Sequence, residues 1–370
     1  MSPKVVHISS VHRRYDTRIF VKECISLVQS GYDVSLVIAD GKGDEKTEGV
    51  KIFDVGEPRG RLHRMSSVCY RILRKAKELE GDLFHFHDPE LLWVGFFLKL
   101  SGKRVIYDSH EDVPRQIAEK EYLPALWRKV ISYVFEKVEN LAVRILDAVV
   151  TPTPFLQDRF KSLHGDVVLL RNFPRLSELQ ITSRWEDREK VLCYIGEISE
   201  NRGIYEMVRA SGRTGMPLEL GGRFRPPSLV ETVKKMPEWE YVRYHGYIER
   251  RKVVELLGKS RIGLILFANT RDYREGYPVK MFEYMAAGMP FVASDFPAWR
   301  TLLEGVECCC FVPVENEEEI HRQLSRLTKD DKKAKAMGEQ GRRAVVERFN
   351  WEKEEKKLLS LYQRLSAGTE

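Results

Sequence analysis

Two glutamates eight positions apart, Glu275 and Glu283, stand in the stretch REGYPVKMFEYMAAGMPFVASD. Met281, Phe282, Met285 and Ala286 recur at helical spacing, Gly288 and Pro290 stop the helix, and FVAS reads as a short apolar strand. Glu275 is expected in the loop before that helix and Glu283 inside it. Carboxylates accept hydrogen bonds from the hydroxyls of a sugar or a ribose, and the unpaired amides of a helix N-terminus attract an anion. A nucleotide sugar offers both kinds of group. Two glutamates at that spacing alone are more often a solvated helix face, so the flanking GYP, KMFEYMAAG and strand carry the weight.

With those flanks the stretch resembles the E-x7-E signature of retaining GT-B glycosyltransferases, and EYMAAGMP is similar to glycosyltransferase family 4. The resemblance runs over nearly the whole chain. It implies two doubly wound Rossmann-like domains facing across a cleft, with the C-terminal helix crossing back to the first domain. It also implies metal-independent transfer, of hexosyltransferase type, from a nucleotide-diphosphate donor to a glycan or lipid-diphosphate acceptor. In that reading Glu275 positions the donor sugar and Glu283 the ribose, no cofactor is needed, and the absence of any Asp-x-Asp agrees.

YIGEISENRG places a strand, a loop and a basic residue before a helix, an arrangement suited to a diphosphate. Gly196 and Arg202 are the candidates there, Arg202 offering forked donors that a lysine lacks. Relatives usually carry a basic residue where this chain has Glu197, so a second cation is sought elsewhere. Lys280, three residues before Glu283, is the first choice, and Arg223 after a glycine pair is the second.

Ligands of open parallel sheets bind beyond the carboxyl ends of strands, which selects further residues in the first half. DSHED puts His110 at a strand end with Glu111 beside it, and an imidazole exchanges protons near neutrality. Similar glycosyltransferases have a histidine here near acceptor and donor sugar, which makes His110 a catalytic candidate. HFHDPE adds His87 and Asp88 on the acceptor side. His85 and His87 share a strand face, yet no third and fourth ligands stand at recognisable spacing, so no metal site is expected. HRRYDTRIF stands where many relatives have a glycine pair, is similar to enzymes of bacterial surface-polysaccharide synthesis, and makes Asp16 and Arg18 candidate acceptor or diphosphate contacts.

Around these residues, 370 positions exceed the size at which one core usually keeps growing. Seven apolar runs alternate with amphipathic stretches in the first half, from KVVHISS to DVVLLRN, and six in the second, from VLCYIGE to CCFVPV. The expected division is an acceptor-side domain over 1–180, a nucleotide-sugar domain over 190–350 and a terminal helix over 351–370. The aperiodic stretch 172–190 is read as the linker. Leu126, Trp127, Val130, Ile131, Val134, Phe135, Val138 and Leu141 mark a long helix expected to be mostly core.

Neither half carries the charge of a nucleic-acid-binding domain, and the six cysteines lack paired spacing, so they are read as reduced. The opening residues do not resemble a signal peptide and no apolar run is long enough to span a bilayer. A cytoplasmic protein is expected, peripheral on the inner face of the plasma membrane. The reason is Arg59 to Lys77, a basic amphipathic helix with seven Lys or Arg and no acid, suited to an anionic membrane surface. Two rivals stay open. One is a non-catalytic carbohydrate- or lipid-binding GT-B protein, and the other a GT-B nucleotide-sugar epimerase. An NAD dehydrogenase is poorly supported, since the chain has no G-x-G-x-x-G after a strand.

Overall fold

A computed structural model describes residues 2–119, 124–179, 181 and 183–367. They form two compact units, 1–172 with 351–370 and 173–350. The first sheet contains β1 (Lys4–Ile8), β2 (Asp33–Ile38), β3 (Glu45–Thr47), β4 (Val50–Asp54), β5 (Leu83–Phe86), β6 (Arg104–Asp108), β7 (Ala148–Thr151) and β8 (Val167–Leu169). Their order is β3-β4-β2-β1-β5-β6-β7-β8. All pairs are parallel except β3 with β4. Successive strand residues enter opposite layers: Val5, Leu36 and Ile106 pack on one face, Val6, Val37 and Tyr107 on the other. Burial on both faces is why these strands read as continuous apolar runs. The short strand EKT has no such run and escapes a reading by hydropathy.

The second sheet holds β9 (Leu192–Ile195), β10 (Leu218–Gly221), β11 (Val242–Tyr244), β12 (Ile262–Ile265), β13 (Phe291–Ser294) and β14 (Cys309–Val312) in the order β11-β10-β9-β12-β13-β14. Every pair is parallel. The last helix, Trp351–Ala367, packs on the first unit through buried Trp351, Leu358, Leu361 and Tyr362. Trp351 Nε1 donates to Ser26 Oγ at 2.9 Å.

Two expectations change. The boundary lies between Asn172 and Phe173, not within 180–190, because Phe173 packs edge-on against Phe282 at 4.7 Å and Phe349 at 5.5 Å. Ile181 and Trp185, placed by the sequence reading in a linker, are buried in the second core. The long helix Ala125–Ile145 is not mostly core: Leu126, Trp127, Val130, Ile131, Val134, Val138 and Leu141 are all exposed, Leu126 by 72%. Only Glu139, Ala142 and Val143 are buried among its residues. Apolar periodicity identifies a face without saying what covers it.

All six cysteines are unpaired. Among the described residues no helix is long and apolar enough to cross a membrane. The basic segment forms consecutive helical turns over Arg61–His63, Arg64–Val68 and Cys69–Glu78. Val68, Cys69, Ile72, Leu73 and Ala76 face inward, while Leu62, Met65 and Tyr70 are exposed.

Candidate active site

In each sheet one strand marks where the strand order reverses: β1 between β2 and β5, and β9 between β10 and β12. Such reversal points open a crevice at the strand carboxyl ends. Candidate residues of each half lie at these strand ends.

After β9 the chain turns through Gly196, φ 149°, to Gly203, φ 75°. A Cβ on Gly203 would sit 1.9 Å from the Leu266 carbonyl oxygen, and one on Gly222 1.7 Å from that of Gly196. Only glycine permits this approach. It binds three strand ends together: Gly196 N–H donates to Gly221 O at 2.8 Å, Ile198 N–H to Arg223 O at 2.9 Å and Ala268 N–H to Asn201 O at 2.9 Å.

Arg202 stands one residue before Gly203, ahead of the helix Ile204–Thr214. Its guanidinium lies 5.9 Å from the Phe267 ring centre, its Nε donates to Tyr273 Oη at 3.4 Å, and Glu197 is 3.6 Å away. Lys280, on the helix Val279–Ala286, brings its Nζ over the same Phe267 ring at 5.5 Å and over Tyr194 at 4.8 Å. A Cβ on Gly196 would lie 2.8 Å from that Nζ. Lys280 is buried and has no hydrogen bond or ion pair among the described residues. Burial first, and the neighbouring Arg202 charge second, lower its pKa to about 8. Gly196, Arg202 and Lys280 thus meet at one strand end.

Arg223 is exposed and stacks on Tyr247 at 4.6 Å. Glu275 closes the short helix Arg271–Glu275 instead of lying in a free loop, because the Thr270 hydroxyl caps that turn by accepting from Tyr273 N–H. The carboxylate is half-buried. Glu283 lies in the next helix, as expected, and accepts from Arg250 at 2.5 Å. Arg250, which holds Glu283, was not singled out from sequence.

At the first reversal point the candidates divide by burial. Asp88 is buried and accepts from Ser9 Oγ at 2.8 Å and Ser10 N–H at 2.6 Å, with His12 Nδ1 at 3.0 Å. Burial would raise its pKa, yet these hydrogen bonds bring it to about 2. Asp88 therefore holds the first loop through these bonds. Arg18 is likewise interior: Nε and Nη2 hold Asp108 at 2.9 and 3.0 Å, and Nη1 donates to Leu170 O at 2.9 Å. Asp16 caps the π-helical stretch Thr17–Cys24, accepting from Arg18 N–H and Ile19 N–H. His87 is buried, and desolvation takes its pKa to about 4. Glu111 is exposed and accepts from Gln116 Nε2 at 2.6 Å. Among these first-half candidates, Arg18, His87 and Asp88 are interior, while Asp16 is half-buried and caps a helical stretch.

His110 remains reachable, its side chain one-fifth exposed, with Nε2 3.1 Å from Asp108. His12 joins it, the two rings 4.8 Å apart. His12 is raised above the ordinary imidazole value in spite of burial, by its bond to Asp88. Beneath them the fold supplies what the sequence reading did not find for His85 and His87: His7 and Glu23 come within ligand distance of both. Strand register, invisible in one strand, puts His7 opposite His85.

Residues 19–173 match the family model described as Glycosyltransferase Family 4, and residues 202–360 one described as Glycosyl transferase-like. An MMP alpha-(1->4)-mannosyltransferase of Mycolicibacterium hassiacum is 30% identical over 312 residues, covering 80% of this chain and 74% of that protein. Among solved structures, sucrose-phosphate synthase from Thermosynechococcus elongatus superposes with a TM-score of 0.80 at 17% identity, over 99% of this chain and all of the other. HepE from Anabaena, in complex with UDP and glucose, gives 0.74 at 12% identity, over 98% of this chain and 100% of that one. The two-sheet fold is thus that of GT-B enzymes, and with both halves matched and a relative at this identity, the chain belongs to glycosyltransferase family 4.

Proposed function

We propose that this glycosyltransferase is a retaining hexosyltransferase that moves a sugar from a nucleotide-diphosphate donor to a glycan or lipid-linked acceptor in cell-surface polysaccharide synthesis. The observation that carries the donor reading is Lys280, a buried amine beside Arg202 with no anion of its own. Two cations over one aromatic face are a site that an anion completes. The relatives support the reading, since HepE is described in complex with UDP and glucose and the Mycolicibacterium protein is a mannosyltransferase.

In this mechanism the bond from the sugar anomeric carbon to the diphosphate oxygen breaks while a bond to the acceptor oxygen forms on the same face. The acceptor proton passes to the leaving phosphate. Arg202 and Lys280 stabilise the charge that develops on the diphosphate, an electrostatic role that requires no metal on the donor. Arg223 flanks the same loop. Glu275 orients the donor sugar through its hydroxyls, and Glu283, held by Arg250, takes the ribose. His110 serves the acceptor hydroxyl. The helical turns from Arg61 to Glu78, with Leu62, Met65 and Tyr70 exposed, dock the enzyme peripherally on an anionic membrane, the inner face of the plasma membrane.

The test is transfer by the purified enzyme from a panel of nucleotide sugars to lipid-diphosphate acceptors, followed by mass shift. Glu275→Ala is expected to lower turnover by about 100-fold or more with an unchanged melting temperature, and a brief EDTA treatment to leave the rate intact. Wild-type turnover in the variant, or a rate lost to EDTA and restored by a divalent ion, would overturn the mechanism.

A further inference from the structure

Four side chains of the first unit converge in its interior for a purpose that sugar transfer does not account for. His7 on β1 lies beside His85 on β5 in parallel register, His87 follows β5, and Glu23 comes from the stretch Thr17–Cys24. One ligand atom from each lies within 4.8 Å of every other, and all four residues are buried.

The hydrogen bonding divides the imidazole nitrogens into two sets. One nitrogen of each ring faces an oxygen: His87 Nδ1 is 3.3 Å from Asp108, while Tyr362 Oη is 2.7 Å from His85 Nδ1 and 3.1 Å from His7 Nε2. The remaining nitrogens have no oxygen partner. His7 Nδ1 and His87 Nε2 face only each other, 2.9 Å apart, and His85 Nε2 has no partner. Neither oxygen of Glu23 makes a hydrogen bond, and Oε2 stands 4.0 Å from His7 Nδ1 and 3.9 Å from His87 Nε2. Native interiors rarely leave a buried imidazole nitrogen and both oxygens of a buried carboxyl without a hydrogen bond.

We propose that His7, Glu23, His85 and His87 are the ligands of a structural zinc ion. Three imidazoles and one carboxylate form a nitrogen-rich, four-donor set suited to zinc. The outward nitrogens are already held by Asp108 and Tyr362, and a carboxylate or hydroxyl on the far nitrogen is what fixes the tautomer of a metal-bound imidazole. Charge agrees as well: burial and the neighbouring Asp108 push the Glu23 carboxyl well above its ordinary pKa although both acids touch Arg18, at 3.2 and 2.9 Å, and a cation bound to Glu23 would keep it ionised. Burial of all four ligands leaves no place for substrate. The ion would instead fasten β1, β5, the Thr17–Cys24 stretch and, through Tyr362, the terminal helix. The proposal involves the first unit alone, so it stands or falls separately from the donor reading.

Elemental mass spectrometry of the full-length enzyme, produced in zinc-supplemented medium and dialysed against EDTA, is expected to find about one zinc per chain. Refolding with cobalt(II) should give the visible absorption of a tetrahedral cobalt site. Glu23→Gln and His85→Ala should each lose most of the metal, while Arg202→Ala on the other unit keeps it. Should those two variants fail to fold, wild-type refolding yield with and without zinc decides, since a structural ion raises it. Zinc-free wild type after both routes, cobalt without tetrahedral bands, a yield indifferent to zinc, or undiminished zinc in soluble variants would show that the cluster is a hydrogen-bonded network around a protonated Glu23.

Discussion

The two strand-order reversals hold charge in opposite ways. Around β1 the carboxylates that approach the site are answered by the protein itself: Asp88 by His12 and two serines, Asp108 by Arg18. Around β9, Arg202 has only Glu197 at 3.6 Å and Lys280 has no acid within reach of an ion pair. A region whose carboxylates are held within the protein presents a pair of imidazoles, His12 and His110. A region left with two cations offers its binding energy to an anion. Similar sheets therefore present different charge because of how a few side chains are paired, and not because of the strands that carry them.

Replacing an arginine on each side should separate these roles most sharply. Arg18→Ala removes the guanidinium that Asp108 and Glu23 share in the interior, a loss of roughly 3–5 kcal/mol of stability. Calorimetry should show the first unit melting several degrees earlier, with UDP affinity nearly unchanged. Arg202→Ala should show the reverse: an unchanged melting profile, and affinity for a nucleoside diphosphate such as UDP weakened by about 10- to 150-fold, the equivalent of roughly 1.5–3 kcal/mol. Loss of nucleotide binding in the Arg18 variant at temperatures where it is folded would erase the contrast.

A subtler effect follows from the lowered Lys280 pKa. A lysine with a pKa of about 8 in the free enzyme is charged below that pH and half neutral at it. A bound diphosphate stabilises the ammonium and raises its pKa, so binding near pH 8 takes up protons. Affinity is level at lower pH and falls above pH 8 by up to about tenfold per unit. The apo protein shows the opposite trend, because the unfolded chain keeps its lysine charged to a higher pH, so stability rises with pH above about 8. Calorimetric titration in buffers of different ionisation heat measures the uptake, and Lys280→Arg should abolish the pH dependence. Smallest of all is the membrane term, about 1 kcal/mol per basic residue near an anionic surface. Charge reversal at Arg71, Arg74 and Lys75 should release the enzyme from anionic vesicles and leave transfer to a short soluble acceptor unchanged. Arg74 and Lys75 already pair with Glu78, which reduces what each contributes.

The sheet strands were legible because burial on both faces writes them as unbroken apolar runs, and β3 was not because its three residues are polar. On the donor side, Gly196, Arg202, Lys280 and Glu283 are adjacent to local signals, a strand end or a helical period, and local signals survive in one dimension. Arg18, His87 and Asp88 carried the same signals, yet their roles depend on partners 78 to 152 positions away, such as Leu170 for Arg18, His7 for His87 and Ser9 or Ser10 for Asp88. The exposed face of Ala125–Ile145 misled for a related reason, since an amphipathic period is the same whether a core or nothing in the chain lies against it.

Tyr362 reaches His7 across 355 positions of sequence. The first 172 residues leave the ribosome long before that helix exists, and so does the whole of the second unit. The amino-terminal unit must then wait, with the floor under Val5, Leu36 and Ile106 lacking Trp351 and Leu358, until the helix Trp351–Ala367 has been made. The second unit, contiguous in the chain, is free to complete its core first. A stop codon near residue 350 would thus damage the beginning of the protein more than the part next to it, and chaperones that shield nascent chains would meet the amino-terminal half as their long-lived client.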